Sequence, residues 1–592
     1  MLRTHTCNDL TLKNDGEKVT LSGWVSNRRD HGGIIFIDLR DRYGLTQIVF
    51  DPEYSEDAHK IANEFRSEFV IQASGTVRSR PDGQANPNLH SGDIEVIITE
   101  VKILSKSKTP PFELDDFKTT SNEEIRYKHR YIDLRRKKVL NNVLFRSKFL
   151  NFTRNWFYNN QFNEVQTPIF TVSSPEGARD FLIPSRLHPG KFYALPQAPQ
   201  QYKQLLMVGG VDKYFQIAPC FRDEDPRADR HACEFYQIDC EMSFVEREDI
   251  FKVVENYIFD SVKSLSNKEI MDQKFYSMSY DEALNNYGSD KPDLRFGMKF
   301  IDLTDIFSNS NFSVFKSVYD NSGVIKAIKL EGQVMSRKDI DELTEVAKNE
   351  GAKGLAYIIY DDNEEGGKKS PILKFMSEDE IKEIESRLNP KSGDIVFFSA
   401  DEFTKAVGIL NKVRLALRDK FNLADKNKLA LCWIIDFPMF EQDPISGKID
   451  FAHNPFSMPI GGIEAFNSDN LLAMKANQYD LSCNGYEILS GSLRNYDVEI
   501  LIKAFETVGR SKNEVIDKFG AMYEAFQYGV PPHGGFAIGM DRFMMILTDE
   551  SNIREVYAFP KAGKAQDLMM NAPSLIDEEQ LRELHVSVIK KD

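Results

Sequence analysis

Residues 221–244, FRDEDPRADRHACEFYQIDCEMSF, place a charged segment between two apolar runs, QIAP (216–219) before it and YQIDCEMSF (236–244) at its end. Apolar runs joined this way read as two strands linked by a long charged loop. Arg222, Arg227 and Arg230 offer planar forks matched to phosphate oxygens, with His231 beside them and Phe235 placed to stack on a base. Taken alone, the loop reads more readily as a solvated, salt-bridged hairpin. A second stretch, GGFAIGMDRF (534–543), is a glycine-rich apolar strand turning into a helix with Arg542 at the turn. Glycines there let a ligand approach the backbone, and the arginine reaches toward a phosphate.

Together the two stretches resemble motifs 2 and 3 of the class II aminoacyl-tRNA synthetases. FRDED-x-RADR (221–230) and GMDR (539–542) are similar to the aspartyl branch in its bacterial form, and the resemblance runs the length of the chain. The fold it implies is multidomain α/β: an N-terminal OB-fold barrel, an antiparallel-sheet catalytic domain and an α+β insertion. The expected boundaries are 1–105 for an anticodon-binding barrel, 106–138 for a hinge, 139–289 and 416–592 for the two catalytic parts, and 290–415 for the insertion.

Composition agrees with a large soluble protein. The chain has 592 residues, 41% hydrophobic and 28% charged, enough for several domains each with its own core. The apolar run at 429–435 is too short to span a bilayer, and the N-terminus lacks a signal-peptide pattern, so a cytoplasmic protein without membrane contact is expected. Six cysteines without CxxC pairing argue against a disulfide framework. Cys220, Cys233, Cys240 and His231 match no usual zinc spacing and read as buried small side chains. A formal charge of −16 disfavours indiscriminate nucleic-acid binding and gives no reason to expect DNA as a partner, so RNA contact has to be local. The basic stretch RYKHRYIDLRRKK (126–138) is one candidate, or an ordinary solvated helix start.

Five short alternating runs, VTLSGWV, GIIFIDLRD, LTQIVFD, FVIQASGTV and IEVIITEVKIL, fill residues 19–104 and predict a five-stranded barrel. The tRNA-binding positions implied by the resemblance are Arg29, His31, Phe36, Gln47 and Gly83, with Arg28 beside them. Phe36 reads alternatively as barrel core, and Val49 replaces a frequent aromatic. The turn after Arg29 reads Asp30-His31-Gly32-Gly33. Residues 105–120 lack periodicity and read as a linker. A helix is predicted from Val139, followed by a strand bearing Pro168 that resembles the dimer-forming motif 1. In the insertion, Ser336 and Gly351 read as the N-cap and C-cap of a helix.

The implied chemistry is activation of L-aspartate by ATP and its transfer to tRNA. The resemblance assigns catalysis to Arg222 and Arg542. Aspartate falls to Glu176, Gln200, Lys203, Arg222, Asp239, His453 and Arg494. ATP falls to Arg222, Asp223, Glu224, Arg230, His231, Phe235, Glu487, Gly539, Met540, Asp541 and Arg542. Asp480 and Glu487 would carry Mg²⁺, an ion that takes a few carboxylates plus substrate phosphates. Departures from the family pattern are Ala198 for a serine, Asn454 for a histidine, and one extra residue between Arg222 and Asp239. Asparaginyl and lysyl enzymes share the barrel, but GARD (177–180), the long insertion and GMDR disfavour them. A non-catalytic RNA-binding relative is disfavoured by the retained Arg222, Glu224, Asp480, Glu487, Arg494 and Arg542. His31 and Gly83 resemble the relaxed aspartyl enzymes that charge both tRNA(Asp) and tRNA(Asn); a strictly tRNA(Asp)-specific enzyme is the alternative.

Overall fold

Strict two-residue alternation closes the first sheet into a barrel. In the computed structural model, which describes residues 1–115, 121–173, 178–228, 232–443 and 446–589, the strands Lys18–His31, Ile34–Arg40, Leu45–Phe50, Ile94–Ser105 and Val70–Ser79 follow one another around it. Ile35, Ile37, Leu39, Ile48, Ile71 and Ala73 point inward and are fully buried, so the intervening residues face out. Phe36 is on that outer face and is not barrel core. The first hairpin turns on Gly32 and Gly33 alone, with φ of +63° and +89°. This positive pair matches strand twist in a two-residue loop. His31 is therefore the last residue of its strand, paired with Ile34, rather than part of the turn. At Gly75 the neighbouring strand passes so close that a Cβ would lie 1.9 Å from the Ile97 carbonyl oxygen.

The chain divides into two compact units. The first holds Met1–Phe145 and Tyr557–Ser574. Within it, the segment read as a hinge carries helices Glu123–Lys128 and Arg130–Asp133. Three basic residues of 126–138 turn inward while Lys128, Lys137 and Lys138 stay exposed: Arg126, Arg130 and Arg136 converge on the fully buried Asp133 carboxylate, and Arg130 also donates to the carbonyls of Tyr557 and Ala558. Arg135 pairs with Glu68 at 2.8 Å and lies 5.2 Å over the Trp24 ring.

The second unit holds Arg146–Val556 and Leu575–Asp592. Its eight-stranded sheet runs in the order Tyr276–Ser279, Leu431–Pro438, Lys475–Cys483, Tyr486–Leu493, His533–Gly539, Glu234–Ser243, Lys213–Phe221, Asn163–Glu164. The six central strands are antiparallel, and only the two edge pairings are parallel. The motif 1 strand stops at Glu164, so Pro168 lies beyond it. A second sheet of five strands, between Ile301 and Asp401, is buried on both faces. Helices Arg337–Asn349 and Phe403–Phe421 cover one face, and Ser313–Asp320 with Glu378–Leu388 cover the other. Ser336 caps its helix by accepting from Asp339 N, while Gly351 stands one residue past the cap, with φ +91°. No helix among the described residues is long and apolar enough to cross a membrane.

Burial alone would raise the Asp133 carboxyl, but the hydrogen bonds and charges of Arg126, Arg130 and Arg136 hold it below the usual range. Its stabilisation is therefore complete above about pH 4, the unfolded carboxylate value, and is lost as pH falls through the lower folded value. Asp133→Asn leaves three guanidinium groups without their shared anion and should cost about 3–5 kcal/mol. A thermal denaturation midpoint at neutral pH unchanged from the parent would contradict this.

Candidate active site

Alternation along Glu234–Ser243 sends Gln237, Asp239 and Glu241 to one face, over the centre of the large sheet. A glycine on the adjoining strand makes room for Glu241. A Cβ at Gly535 would fall 2.1 Å from the Cys240 carbonyl oxygen and 2.2 Å from the Glu241 carboxylate. The space expected for a ligand at this glycine is thus taken by Glu241, a residue the sequence reading passed over. Its signal was available: a carboxylate two residues beyond Asp239 in a strand shares its face.

Glu241 organises a buried quartet. Arg494 donates to both its oxygens, at 2.8 and 3.1 Å, and Lys203 Nζ lies 3.4 Å from it and 2.6 Å from Asp239. All four side chains are at most 2% exposed. Burial raises carboxyl pKa values, yet the charges of Arg494 and Lys203 bring Glu241 below the usual range, while Asp239, with less compensation, stays raised. Asp239 Oδ2 has no hydrogen-bond partner, nor has Gln200 Nε2 at the start of helix Gln200–Val208. Gln204 of that helix meets His533 at 3.2 Å, a further contact that sequence spacing did not disclose.

A cavity of about 420 Å³ is lined by three of the quartet, Lys203, Asp239 and Arg494. Of the expected aspartate set, Gln200, Lys203, Arg222, Asp239, His453 and Arg494 line it; of the ATP set, Arg222, Glu224, Phe235, Glu487, Gly539, Asp541 and Arg542 do. Asp223 and Met540 are not among its walls, and Met540 is buried. Glu176, Arg230 and His231 fall outside the described residues. The Arg222 guanidinium lies 5.1 Å from the Phe235 ring centre and its buried Nε has no partner. Arg542 belongs to the first turn of helix Met540–Leu547 rather than to the turn before it, and it donates to the Glu487 carbonyl. Asp541 serves the fold, accepting from Tyr236 N at 3.0 Å and pairing with Arg146. His453 packs edge-on to Phe437 and Tyr280. Burial lowers its pKa against the opposing pull of Asp290, Glu441 and Glu487, so the ring is neutral near pH 7.

Asp480 and Glu487 stand on the two strands of one hairpin. Burial and then the Glu487 charge push the Asp480 carboxyl well above its usual range, and its buried Oδ1 has no partner. An orphaned buried carboxylate oxygen beside a second, half-exposed carboxylate fits a divalent cation completed by substrate oxygens. Among the described residues no group of three or more His, Cys, Asp or Glu side chains makes a self-sufficient metal site. All six cysteines are buried.

In the barrel, two of the expected tRNA-binding residues, Arg29 and Gln47, form a polar ladder with Asp38 and Glu95. Arg29 donates to Asp38 at 2.7 and 2.8 Å and to Gln47 at 3.1 Å, and Gln47 donates to Glu95 at 2.8 Å. His31 lies edge-on to Phe36, 5.9 Å between ring centres, and Val49 is Phe36's cross-strand partner. Gly83 is exposed with φ +77°.

Residues 122–563 match the family described as tRNA synthetases class II (D, K and N), and 19–104 match the OB-fold nucleic acid binding domain. The chain is 48% identical to the aspartate–tRNA(Asp/Asn) ligase of Rickettsia prowazekii, over 99% of this chain and 97% of that one. It is 49% identical to the ligase of the same name from Chlorobaculum parvum, over 99% and 96%. In fold it resembles the asparaginyl-tRNA synthetase of Pyrococcus horikoshii in complex with asparaginyl-adenylate (TM-score 0.55, 18% identity, 95% and 98% covered). It also resembles an aspartyl-tRNA synthetase of Entamoeba histolytica (TM-score 0.57, 18% identity, 94% and 90% covered). With the family match spanning the whole cavity and relatives near half identity over its full length, the chain belongs to the class II tRNA synthetases, in the family of the aspartate–tRNA ligases.

Proposed function

We propose that this protein attaches L-aspartate to both tRNA(Asp) and tRNA(Asn) through an aspartyl-adenylate. The observation that carries the reading is that Lys203 and Arg494, both paired to the buried Glu241, line the same cavity as Arg222 and Arg542. Lys203 and Arg494 grip the side-chain carboxylate of the amino acid. Asp239, whose Oδ2 has no hydrogen-bond partner, takes the α-ammonium, with Gln200 bordering it. Asparagine has the shape of aspartate but presents an amide to two buried cations. Their lost pairing, rather than size, rejects it.

In activation, an α-carboxylate oxygen of aspartate attacks the α-phosphorus of ATP, and the bond to the β-phosphate oxygen breaks to release pyrophosphate. Arg222 spans the α-phosphate and the attacking carboxylate, offsetting repulsion between two anions. Phe235 and Arg542 enclose the adenine, and the outer phosphates are assigned to Arg542 and, by resemblance to the family alone, to Arg230. Asp480 and Glu487 would hold Mg²⁺, which screens phosphate charge. Glu176 and His453 complete the amino-acid pocket, and Glu224 and His231 the nucleotide side. The reaction is driven by positioning and charge neutralisation. In the second step the terminal ribose hydroxyl of tRNA attacks the adenylate carbonyl and AMP leaves.

The exposed Ile169, Phe170, Val172, Leu182, Leu187 and Phe192 supply an apolar surface for a two-fold homodimer. The cytoplasm, where tRNA is charged, is the compartment this reading requires.

The barrel sets tRNA choice. Aspartate and asparagine anticodons share the middle U and differ at the third position, C against U. His31 can donate or accept, and Gly83 adds no side chain, so either pyrimidine fits.

Two outcomes are expected. Arg222→Ala and Arg542→Ala should each lower aspartate-dependent ATP–pyrophosphate exchange by at least about a hundredfold, as for loss of a donor to developing charge; near-normal exchange in either refutes the roles given to them. With purified transcripts, tRNA(Asn) should be charged within about a thousandfold of tRNA(Asp), a gap of roughly 4 kcal/mol, and His31→Leu should widen the gap. A larger gap in the parent enzyme would make it strictly tRNA(Asp)-specific.

A further inference from the structure

We propose that Gln197, outside both residue sets above, is a positioning residue for Arg222: its buried side-chain amide ties together the two segments that hold the end of strand Lys213–Phe221. The inference rests on the function proposed above and deepens it, since it says what keeps Arg222 in place for the α-phosphate and the attacking carboxylate.

Arg222 follows the last residue of that strand. Three successive main-chain N–H groups around it donate to three different segments. Phe221 N donates to the Pro196 carbonyl at 2.9 Å, Arg222 N to the Cys233 carbonyl at 2.8 Å, and Asp223 N to the Arg179 carbonyl at 2.9 Å. The Cys233 bond continues the hairpin, whereas the other two come from residues that precede the strand in sequence. Together they fix the direction in which the Arg222 side chain leaves the backbone, and its guanidinium lies 5.1 Å from the Phe235 ring centre.

The two preceding segments are joined through Gln197, which is 3% exposed. Its Oε1 accepts from Ala178 N at 3.1 Å and its Nε2 donates to the Ala178 carbonyl at 2.9 Å, as one peptide group pairs with another. The same Nε2 donates to Asp180 Oδ1, and Asp180 accepts in turn from Ser173 Oγ. Arg179, whose carbonyl takes Asp223 N, therefore stands between two residues gripped by one side chain. Leu195 N, two residues before Gln197, donates to the Phe181 carbonyl at 2.9 Å and closes the knot from the other end. An amide carries a donor and an acceptor on one planar group, which this pair of bonds to Ala178 requires.

Gln197 is not among the walls of the large cavity, although Ala198 and Gln200 are. Its effect on the reaction thus runs through what it holds. Without the amide, the N–H and carbonyl of Ala178 lose their partners, and the Arg179 carbonyl loses its fixed place opposite Asp223 N. A displacement of about 1 Å in a group that has to meet two anions at once costs on the order of a hundredfold in rate.

The test is a double-mutant cycle between Gln197 and Arg222. Gln197→Met keeps the length of the side chain and removes its amide. In the parent background it should lower kcat/KM for aspartate-dependent ATP–pyrophosphate exchange about tenfold or more, and weaken ATP binding in calorimetric titrations with Mg²⁺ about threefold or more. In an Arg222→Ala background the same substitution should change both by less than about twofold, because the group it positions is gone. Losses of equal size in the two backgrounds would mean that Gln197 supports the pocket in general, and an unchanged rate in the parent background would mean that it only satisfies the Ala178–Asp180 segment; either overturns the inference. Asp180→Ala, which removes an acceptor of the same amide at a half-buried position, should show the same dependence on Arg222, and it decides the point if Gln197→Met does not fold. A parent enzyme that binds ATP but shows no aspartate-dependent exchange refutes the proposed function instead, and the calorimetric cycle still decides Gln197.

Discussion

Four ionised side chains without solvent are costly, and the catalytic unit is arranged so that Lys203, Asp239, Glu241 and Arg494 neutralise one another. Glu241 is the hinge of the arrangement: removing it would leave the buried Arg494 without its carboxylate and Lys203 with Asp239 alone, a loss of several kcal/mol. Its carboxylate fits because the neighbouring strand has glycine at 535, where any side chain would collide with it. The strand pairing Glu234–Ser243 with His533–Gly539 and the charge balance of the pocket are therefore one requirement. Asp239 is the member left with a free oxygen and a raised pKa. It is the place where an added cation gains most, which is why an α-ammonium is assigned there.

A similar economy recurs away from the cavity. Asp133 gathers three arginines in the first unit, and Asp293 gathers Arg295 and Arg418 while Arg414 binds the backbone beside it. In each case a single buried carboxylate fastens segments distant in sequence. A strongly acidic chain, −16 overall, thus keeps several arginines inside, where they act as struts rather than as a nucleic-acid-binding surface.

Much of this was legible in the sequence because local patterns agreed with the final packing. The barrel followed from two-residue alternation, and the hairpin about Arg222 from apolar runs flanking charges. The insertion helix followed from a Ser336 capping signal that the fold honours. What stayed hidden depends on contacts between distant strands. Glu241 sits in a strand that reads as apolar, and its importance appears only when Arg494, more than two hundred residues away, folds beside it. The glycines of GGFAIGMDRF read as room for ligand, whereas Gly535 makes room for Glu241. In the basic run 126–138, whose lysines are indeed exposed, sequence gives no sign that one carboxylate collects three of the arginines. Of the two readings of Phe36 the fold bears out the outer barrel face, while His31, read as part of the turn, ends its strand, since only Gly32 and Gly33 adopt positive φ.

The central claim is that a preset pair of buried cations, balanced by Glu241 and Asp239, selects a second carboxylate. The most direct measurement is ATP–pyrophosphate exchange by the unmodified protein with aspartate or asparagine as the amino acid. The account predicts a kcat/KM for aspartate at least about 10⁴-fold above that for asparagine, the discrimination expected when a wrong ligand leaves buried polar groups unpaired. Exchange with asparagine within tenfold of that with aspartate would contradict it.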